Sequence, residues 1–255
     1  MKTALITGAS SGIGKELAYL LAKEKYHLIL VARRYDLLNS LAKECEEKFE
    51  VDSTVIKHDL SKQDSGVELY NTIKEMGITV DVLINNAGFG DNCEFATSSL
   101  EKNQRMIHLN MLSLTELTHK YVNEMIVRNS GMIMNVASTA AFQPMPKFSV
   151  YAATKAYVLH LTEAIHFELK NTSVHITALC PGATKTGFEQ AAEMMGSKLF
   201  EKNAMTAKQV ADYGLNALKK NKMYAIPGFK NRVLTFMADG TPIRRLKVWV
   251  SSKVT

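Results

Sequence analysis

Short apolar runs alternate along the chain with longer segments in which apolar residues recur at helical spacing. The runs predict strands at 4–6, 27–32, 54–56, 80–84, 132–136 and 174–179, and a short final strand at 223–226. A strand–helix alternation of this kind is typical of a doubly wound parallel sheet. We therefore expect an α/β fold of about seven strands with helices on both faces.

The segments between the strands have the apolar stripe of amphipathic helices. Leu17, Leu20 and Leu21 share one side of the first helix, and Leu37, Leu38, Leu41 and Cys45 are predicted to face inward from a helix at 35–49. Further helices are expected from near Ser61 to about 76, over 100–128, around 151–155, and over 206–222 as the last helix. Repeats and linker-like stretches are absent from the sequence, so residues 1–255 are predicted to form a single domain.

The first strand runs into a glycine-rich turn, Gly8-Ala9-Ser10-Ser11-Gly12-Ile13-Gly14, and then into a helix. A strand, a glycine turn and a helix N-terminus together form a phosphate-binding unit. The spacing is GxxxGxG rather than the general GxGxxG. Taken alone, this pattern also fits a tight turn.

Polar residues follow the next strands, at the edge of the sheet where ligands bind. An acidic residue about 20 positions after the last glycine would bind the ribose 2′-hydroxyl of NAD, but Arg33 and Arg34 stand there and suit the 2′-phosphate of NADP. They also fit solvated charges at a strand end. Asp59 could accept from an adenine amino group or cap the helix that follows. Gly8, Arg33, Asp59 and Asn86 are expected to converge at this edge.

Tyr151 and Lys155 are four residues apart on a predicted helix, so their side chains share a face. A tyrosine hydroxyl has a pKa of about 10, and a neighbouring ammonium lowers it. The pair therefore predicts a proton donor and acceptor. Taken alone, it also fits an ordinary helix surface.

Composition narrows the class of protein. The net charge is +6 and the pI about 9.1, but lysines and arginines are scattered, so we expect no nucleic-acid partner. Cys45, Cys93 and Cys180 are widely spaced, which favours a reducing compartment, and no Cys/His cluster predicts a metal. The N-terminal apolar run is too short for a signal peptide or a membrane span, so a cytoplasmic location is expected.

Six motifs in order resemble those of the short-chain dehydrogenase/reductase family over roughly residues 3–228. They are Thr7–Gly14, Asn85-Asn86-Ala87-Gly88, Asn110, Ser138, Tyr151-x-x-x-Lys155 and Pro181-Gly182-x-x-x-Thr186. The resemblance implies a Rossmann fold and an NAD(P)-dependent oxidoreductase. It also implies the catalytic roles: Tyr151 as proton donor, Ser138 orienting the carbonyl, Lys155 lowering the tyrosine pKa and holding the nicotinamide ribose, and Asn110 supporting a water-mediated proton relay.

The resemblance also favours NADP(H). Arg33 stands where NAD-preferring members keep an aspartate, although Ser11 stands where some NADPH-preferring members carry a basic residue. Thr184 and Thr186 would bond the nicotinamide carboxamide or have a capping role. The predicted cofactor-binding residues are Gly8, Ser10, Ser11, Gly12, Ile13, Gly14, Arg33, Arg34, Asp59, Leu60, Asn86, Ala87, Gly88, Tyr151, Lys155, Pro181, Gly182, Thr184 and Thr186.

We expect the substrate to be a small carbonyl or alcohol compound. A Met- and Phe-rich segment at 188–205 predicts a lid over an apolar substrate. The same segment also fits ordinary helix core. The predicted substrate residues are Ser138, Phe142, Met145, Tyr151 and Phe188.

The C-terminal tail at 241–255 combines basic residues with a short apolar stripe, which fits a subunit contact or peripheral contact with an anionic membrane. Family members are usually dimers or tetramers, so a homodimer or homotetramer is expected.

Three functions compete. The first is an NADPH-dependent carbonyl reductase, or the reverse alcohol dehydrogenase. The second is a non-catalytic regulator that binds NADP(H), which the fold alone permits, but such a protein does not need all of Ser138, Tyr151, Lys155 and Asn110. The third is a nucleic-acid-binding protein, which lacks support from an aromatic platform or basic stripe.

Overall fold

The computed structural model describes residues 1–186, 204–240 and 248 of the chain. A seven-stranded parallel sheet forms its centre, in the order β3-β2-β1-β4-β5-β6-β9. The strands of this sheet are β1 (Thr3–Thr7), β2 (His27–Ala32), β3 (Ser53–Lys57), β4 (Val82–Asn85), β5 (Gly131–Val136), β6 (Val174–Leu179) and β9 (Tyr224–Ala225). A separate parallel pair is formed by β7 (Thr184–Lys185) and β8 (Met205–Thr206).

Helices connect the strands. They are α1 (Gly12–Lys23), α2 (Tyr35–Phe49), α3 (Ser65–Glu75), α4 (Leu100–Ile107), α5 (Leu114–Arg128), α6 (Ser149–Glu168), α7 (Ala207–Lys219) and α8 (Phe229–Gly240). Short 3₁₀ turns cover Phe95–Thr97 and Thr139–Phe142, and a π-helical turn covers His108–Ser113 between α4 and α5. Within the described ranges, none of these helices has the length and apolar character needed to cross a membrane.

Successive residues of the central strands face opposite sides of the sheet. Ile6 and Leu30 pack in the core beneath α1, α2 and α7, whereas Leu5 and Ile29 pack in the core beneath α3 and α5. Both faces of the sheet are therefore covered, which explains why its strands are continuous apolar runs rather than alternating ones. The predicted doubly wound α/β fold is confirmed.

Three details differ from the sequence-based expectations. α3 begins at Ser65 rather than near Ser61, because the chain first turns through Asp64 in the left-handed region (φ 57°). Leu37 is 44% exposed, since it lies on the side of α2 away from Leu38. The helix over 206–222 is not the last one, because α8 follows β9.

A ladder of buried polar side chains joins β4, β5 and α6. Asn85 Nδ2 donates to Asn135 Oδ1 (2.9 Å) and to Thr118 Oγ1 (3.0 Å). Asn135 Nδ2 donates to Thr162 Oγ1 (3.0 Å), and this hydroxyl donates to the Val158 carbonyl (2.6 Å). The ladder fixes α6, which carries Tyr151 and Lys155, against the sheet.

The variant Thr162→Val should lower the free energy of unfolding by about 1–3 kcal/mol, because it leaves the buried Asn135 amide without its acceptor. Denaturant titration measures this change. Thr72→Val is the matched control, because Thr72 makes the same bond to a carbonyl four residues earlier, but this bond is exposed to solvent. Its effect should stay within about 0.5 kcal/mol. Equal losses in the two variants would contradict a role for the ladder.

Candidate active site

The predicted site residues at the ends of β1 and β4 come together through the side chain of Asn86. Its Nδ2 donates to the carbonyls of Thr7 (3.0 Å) and Gly8 (3.1 Å). The backbone N–H groups of Asn86 and Ala87 donate to Thr7 Oγ1 at 3.0 and 3.1 Å. The Asn86 amide is therefore engaged by the protein and fixes the glycine turn in position.

The glycine turn is closely packed as well as sharply bent. Gly8 and Gly12 have positive φ angles of 66° and 58°. A Cβ at Gly14 would lie 2.5 Å from the Gly8 carbonyl oxygen, and one at Gly12 would lie 2.8 Å from Thr186 Cβ. Ser11 precedes α1 without a side-chain cap, and the first turn of α1 has no acidic residue. The first N–H groups of this helix are thus suited to an anion.

Two exposed arginines follow β2 beside the glycine turn. Arg34 Nη2 donates to the hydroxyls of Ser10 (2.9 Å) and Ser11 (2.7 Å). Arg33 lies close enough to Asp59 to influence its ionisation. This corner of the sheet therefore concentrates two guanidinium groups and two hydroxyls, a combination that suits a phosphate group.

Asp59 does not cap α3. Its carboxylate accepts from the backbone N–H of Ser61 (3.1 Å) and from Ser61 Oγ (2.7 Å). Burial alone would raise the pKa of Asp59, but these hydrogen bonds and the charges of Arg33 and Arg105 bring it below its usual value. The next residue, Leu60, is buried, and its carbonyl accepts from Ser113 Oγ (2.7 Å).

Lys155 and Tyr151 lie buried on α6, near the end of β5. Lys155 Nζ donates to the Val136 carbonyl (2.8 Å) and lies 5.7 Å from the centre of the Tyr151 ring. Ser138, just after β5, accepts from the Ala140 N–H (3.1 Å). A hydrogen bond also links Ser138 and Tyr151. The ammonium, the phenol and the serine hydroxyl therefore form one cluster at the carboxyl edge of the sheet.

Burial controls the ionisation of this cluster. It raises the pKa of Tyr151 to about 12, and the hydrogen bond with Ser138 offsets only part of the rise. It lowers the pKa of Lys155 to about 8. In the protein without a ligand, the pKa of Tyr151 is therefore raised, whereas the sequence predicted a lowered value. The reason is that desolvation of the phenolate outweighs the hydrogen bond with Ser138.

Asn110 lies in the π-helical turn and is almost fully buried. Its Oδ1 accepts from the Phe89 N–H (3.2 Å), and its Nδ2 donates to the Phe89 carbonyl (3.0 Å) and to Thr154 Oγ1 (3.1 Å). A Cβ at Gly88 would lie 3.1 Å from Asn110 Oδ1 and 3.4 Å from Lys155 Nζ. Asn110 thus holds the loop after β4 close to the lysine.

The segment after β6 lies on the other side of the glycine turn. The Pro181 carbonyl accepts from Ser138 Oγ at 3.5 Å. Thr184 Oγ1 donates to the Gly182 carbonyl (2.8 Å), and Thr186 Oγ1 donates to the Thr184 carbonyl (3.3 Å). These bonds stabilise the local turn.

The predicted substrate residues fall into three groups. Met145 packs with Phe148 in the same apolar cluster as Tyr151. Phe142 packs in a different cluster, with its ring edge-on to Tyr224 at 6.4 Å. The third group lies outside the described residues. It consists of Phe188, which belongs to the predicted lid at 188–205; residues 188–203 of that lid are not described, nor is the tail at 241–255 apart from Val248.

Three residues that support the site were not among the predicted site residues. Thr7 anchors Asn86 and Ala87, Thr154 holds Asn110, and Arg105 lies 3.7 Å from the Asp59 carboxylate. In the sequence, Thr7 could have been found because it precedes Gly8, and Thr154 because it precedes Lys155. Among the residues that the structure describes, no group of three or more His, Cys, Asp or Glu side chains is arranged to hold a metal ion.

The chain is similar in sequence to known proteins. A sequence model of the family described as short chain dehydrogenase matches residues 2–195. The NADP-dependent 3-hydroxy acid dehydrogenase of Schizosaccharomyces pombe is 36% identical over 189 residues, which are 73% of each chain. The mouse very-long-chain 3-oxoacyl-CoA reductase is 32% identical over 186 residues, which are 70% of this chain but only 58% of the mouse protein.

A solved structure gives the same result for the fold. A short-chain dehydrogenase from Sphingobium yanoikuyae in complex with NADPH superposes with a TM-score of 0.86 and 30% sequence identity. The superposition covers 94% of this chain and 93% of that one. Together with the family match, this likeness shows that the chain belongs to the short-chain dehydrogenase family of oxidoreductases.

Proposed function

We propose that this protein is an NADP(H)-dependent oxidoreductase that interconverts a carbonyl and a secondary alcohol by hydride transfer. The observation that carries the proposal is the cluster of Ser138, Tyr151 and Lys155 beside the glycine turn. The relatives named above are a 3-hydroxy acid dehydrogenase and a 3-oxoacyl-CoA reductase, which supports carbonyl–alcohol chemistry.

The dinucleotide is proposed to lie across the carboxyl edge of the sheet. The first turn of α1 and the glycine turn would hold the pyrophosphate. Arg33 and Arg34, with the hydroxyls of Ser10 and Ser11, would hold the 2′-phosphate, which distinguishes NADP(H) from NAD(H). The NADPH in the Sphingobium yanoikuyae structure and the NADP dependence of the yeast relative support this choice.

Lys155 is suited to hold the nicotinamide ribose. An ammonium has three donors, and among the described residues only the Val136 carbonyl accepts from Lys155. Gly88 leaves space next to the ammonium, because a Cβ there would approach it to 3.4 Å. Ribose hydroxyls in that space would accept from the remaining donors. A bound nicotinamide would then supply or receive the hydride at the substrate carbon.

Ser138 and Tyr151 would act on the substrate oxygen. Their hydroxyls would donate hydrogen bonds to a carbonyl, stabilising the negative charge that develops on its oxygen during reduction. Tyr151 would then deliver its proton to that oxygen. Its raised pKa keeps the phenol protonated at neutral pH, as an acid for reduction must be. In the oxidative direction, the phenolate would accept the same proton.

We also propose that the substrate carries apolar groups next to its carbonyl. Met145, which packs with Phe148 and Tyr151, presents an adaptable thioether near the phenol. Phe142 and Phe188 remain predictions as substrate residues.

The variant Tyr151→Phe should lower kcat for ketone reduction by about 10²–10⁴-fold, because it removes the proton donor. NADPH oxidation at 340 nm against a panel of ketones, aldehydes and 3-oxoacyl thioesters measures this loss. Tyr157→Phe is the control, because Tyr157 lies on the same helix but bonds only to Thr115 among the described residues. Unchanged turnover in Tyr151→Phe would refute the assignment. A wild-type protein that binds NADPH without turning over any of these compounds would favour the non-catalytic regulator.

The variant Arg34→Gln should lower kcat/KM for NADPH by about 10–100-fold, because it removes charge-assisted hydrogen bonds to the 2′-phosphate. The value for NADH should change by less than about threefold, since that cofactor has no 2′-phosphate. Lys23→Gln, in the last turn of α1, serves as a charge-matched control with no expected effect. Parallel losses with both cofactors would show that Arg34 does not read the 2′-phosphate.

Burial lowers the pKa of Lys155 to about 8. NADPH affinity should therefore fall as the pH rises through this value. Above that pH the free protein holds a neutral amine, so binding to the ammonium form must take up a proton. The dissociation constant should rise by up to about tenfold per pH unit, as linkage requires. Fluorescence titration of NADPH at several pH values measures this. In Lys155→Arg, which stays charged, the pH step should disappear, and a step that persists would point to another group.

A further inference from the structure

The outer side of α8 exposes large apolar side chains. Phe229 and Phe236 are 74% and 78% exposed, and Val233 and Leu234 are 40% and 55% exposed. We call these four residues the α8 apolar face. The opposite side of the helix packs against the protein: Asn231 lies against Gly182, and Thr235 is buried. The helix is thus docked by its polar side and turns its apolar side outward, the reverse of an ordinary surface helix.

Basic charge is concentrated in the same part of the chain. Residues 229–255 contain six of the 31 Lys and Arg residues but only one of the 25 Asp and Glu residues. This segment therefore carries +5 of the formal net charge of +6, and the first 228 residues carry only +1. On α8 itself, the Arg232 guanidinium lies 5.7 Å from the centre of the Phe229 ring. On this helix, the exposed cationic side chains of Lys230 and Arg232 thus lie beside exposed apolar ones.

We propose that the α8 apolar face binds the surface of an anionic lipid bilayer. Exposed phenyl and aliphatic side chains next to arginine and lysine are the composition of helices that lie in the membrane interface. The phenyl rings would enter the boundary between headgroups and acyl chains. The basic groups would stay among the anionic headgroups, which attract them electrostatically.

A second copy of the chain fits this surface less well. A two-fold interface places the same patch on both subunits, so it would bring the exposed Lys230 and Arg232 of one copy close to those of the other. The surface is also small: a helix of 12 residues is about 18 Å long and about 10 Å wide, an area of about 200 Å². A specific interface buries about 800 Å² on each partner. An anionic surface matches the charge and does not require that area.

The inner side of α8 lies against the candidate active site. A Cβ at Gly182 would lie 2.6 Å from Asn231 Nδ2, and the neighbouring Pro181 carbonyl accepts from Ser138 Oγ. Contact of α8 with a bilayer would therefore hold the catalytic end of the sheet close to the membrane surface.

Sedimentation of the full chain with vesicles tests the proposal. The probes are phosphatidylcholine vesicles with and without phosphatidylserine. We expect binding to the anionic vesicles, weaker binding to the neutral ones, and release by added salt. The double variant Phe229→Ser/Phe236→Ser should weaken binding to the anionic vesicles by at least about tenfold, because two apolar contacts are lost.

Phe167→Ser is the matched control, because Phe167 is 66% exposed on another helix, α6, and is not part of the α8 apolar face. It should bind as the wild type does. The single variant Phe236→Ser provides a second, milder test and should give a smaller loss, and NADPH affinity reports whether each variant is folded. Absent binding by the wild type, equal binding by the double variant, or equal loss in Phe167→Ser would overturn the proposal. So would a wild-type dimer that the double variant converts to monomers, since a second copy would then cover the face.

Discussion

The desolvated ammonium of Lys155 is the constraint on which the rest of the site depends. A buried charge is costly unless hydrogen-bond acceptors surround it. The Val136 carbonyl, at the end of β5, supplies one such acceptor. Because Lys155 lies on α6, this bond also ties α6, and with it Tyr151, to the edge of the sheet. Burial lowers the pKa of Lys155, so a ligand that offers further acceptors would be bound tightly by the ammonium form.

The sheet brings the other groups to the same place because its strands are parallel. The turn after β1, the loop after β4 and Ser138 after β5 all lie at the carboxyl edge. Cross-links between these loops then set their spacing. Asn86 ties the loop after β4 to the glycine turn, and Asn110 ties Phe89 to Thr154 on α6. The geometry of the candidate active site is therefore a product of buried hydrogen bonds between neighbouring loops, on a scaffold held by the apolar core.

The sequence allowed the fold to be predicted because strands buried on both faces are continuous apolar runs with distinct ends. The positions of Ser138, Tyr151 and Lys155 followed from motifs. Other features depend on tertiary contacts that spacing does not encode. The raised pKa of Tyr151 arises from burial, and the engagement of Asn86 by Thr7 and Gly8 is visible only after folding. α8 was not predicted, although Phe229, Val233 and Phe236 recur at helical spacing. That this apolar stripe faces outward is visible only after folding.

A crystal structure with bound NADP⁺ would show directly whether the nicotinamide lies against Ser138, Tyr151 and Lys155, the three proposed catalytic side chains. We expect Lys155 Nζ to lie within hydrogen-bond distance of the nicotinamide ribose hydroxyls. The 2′-phosphate should lie against Arg33 and Arg34. The nicotinamide ring should face the space next to the hydroxyls of Ser138 and Tyr151. A dinucleotide bound with its nicotinamide away from Lys155 and Tyr151 would show that these residues do not have the proposed catalytic roles.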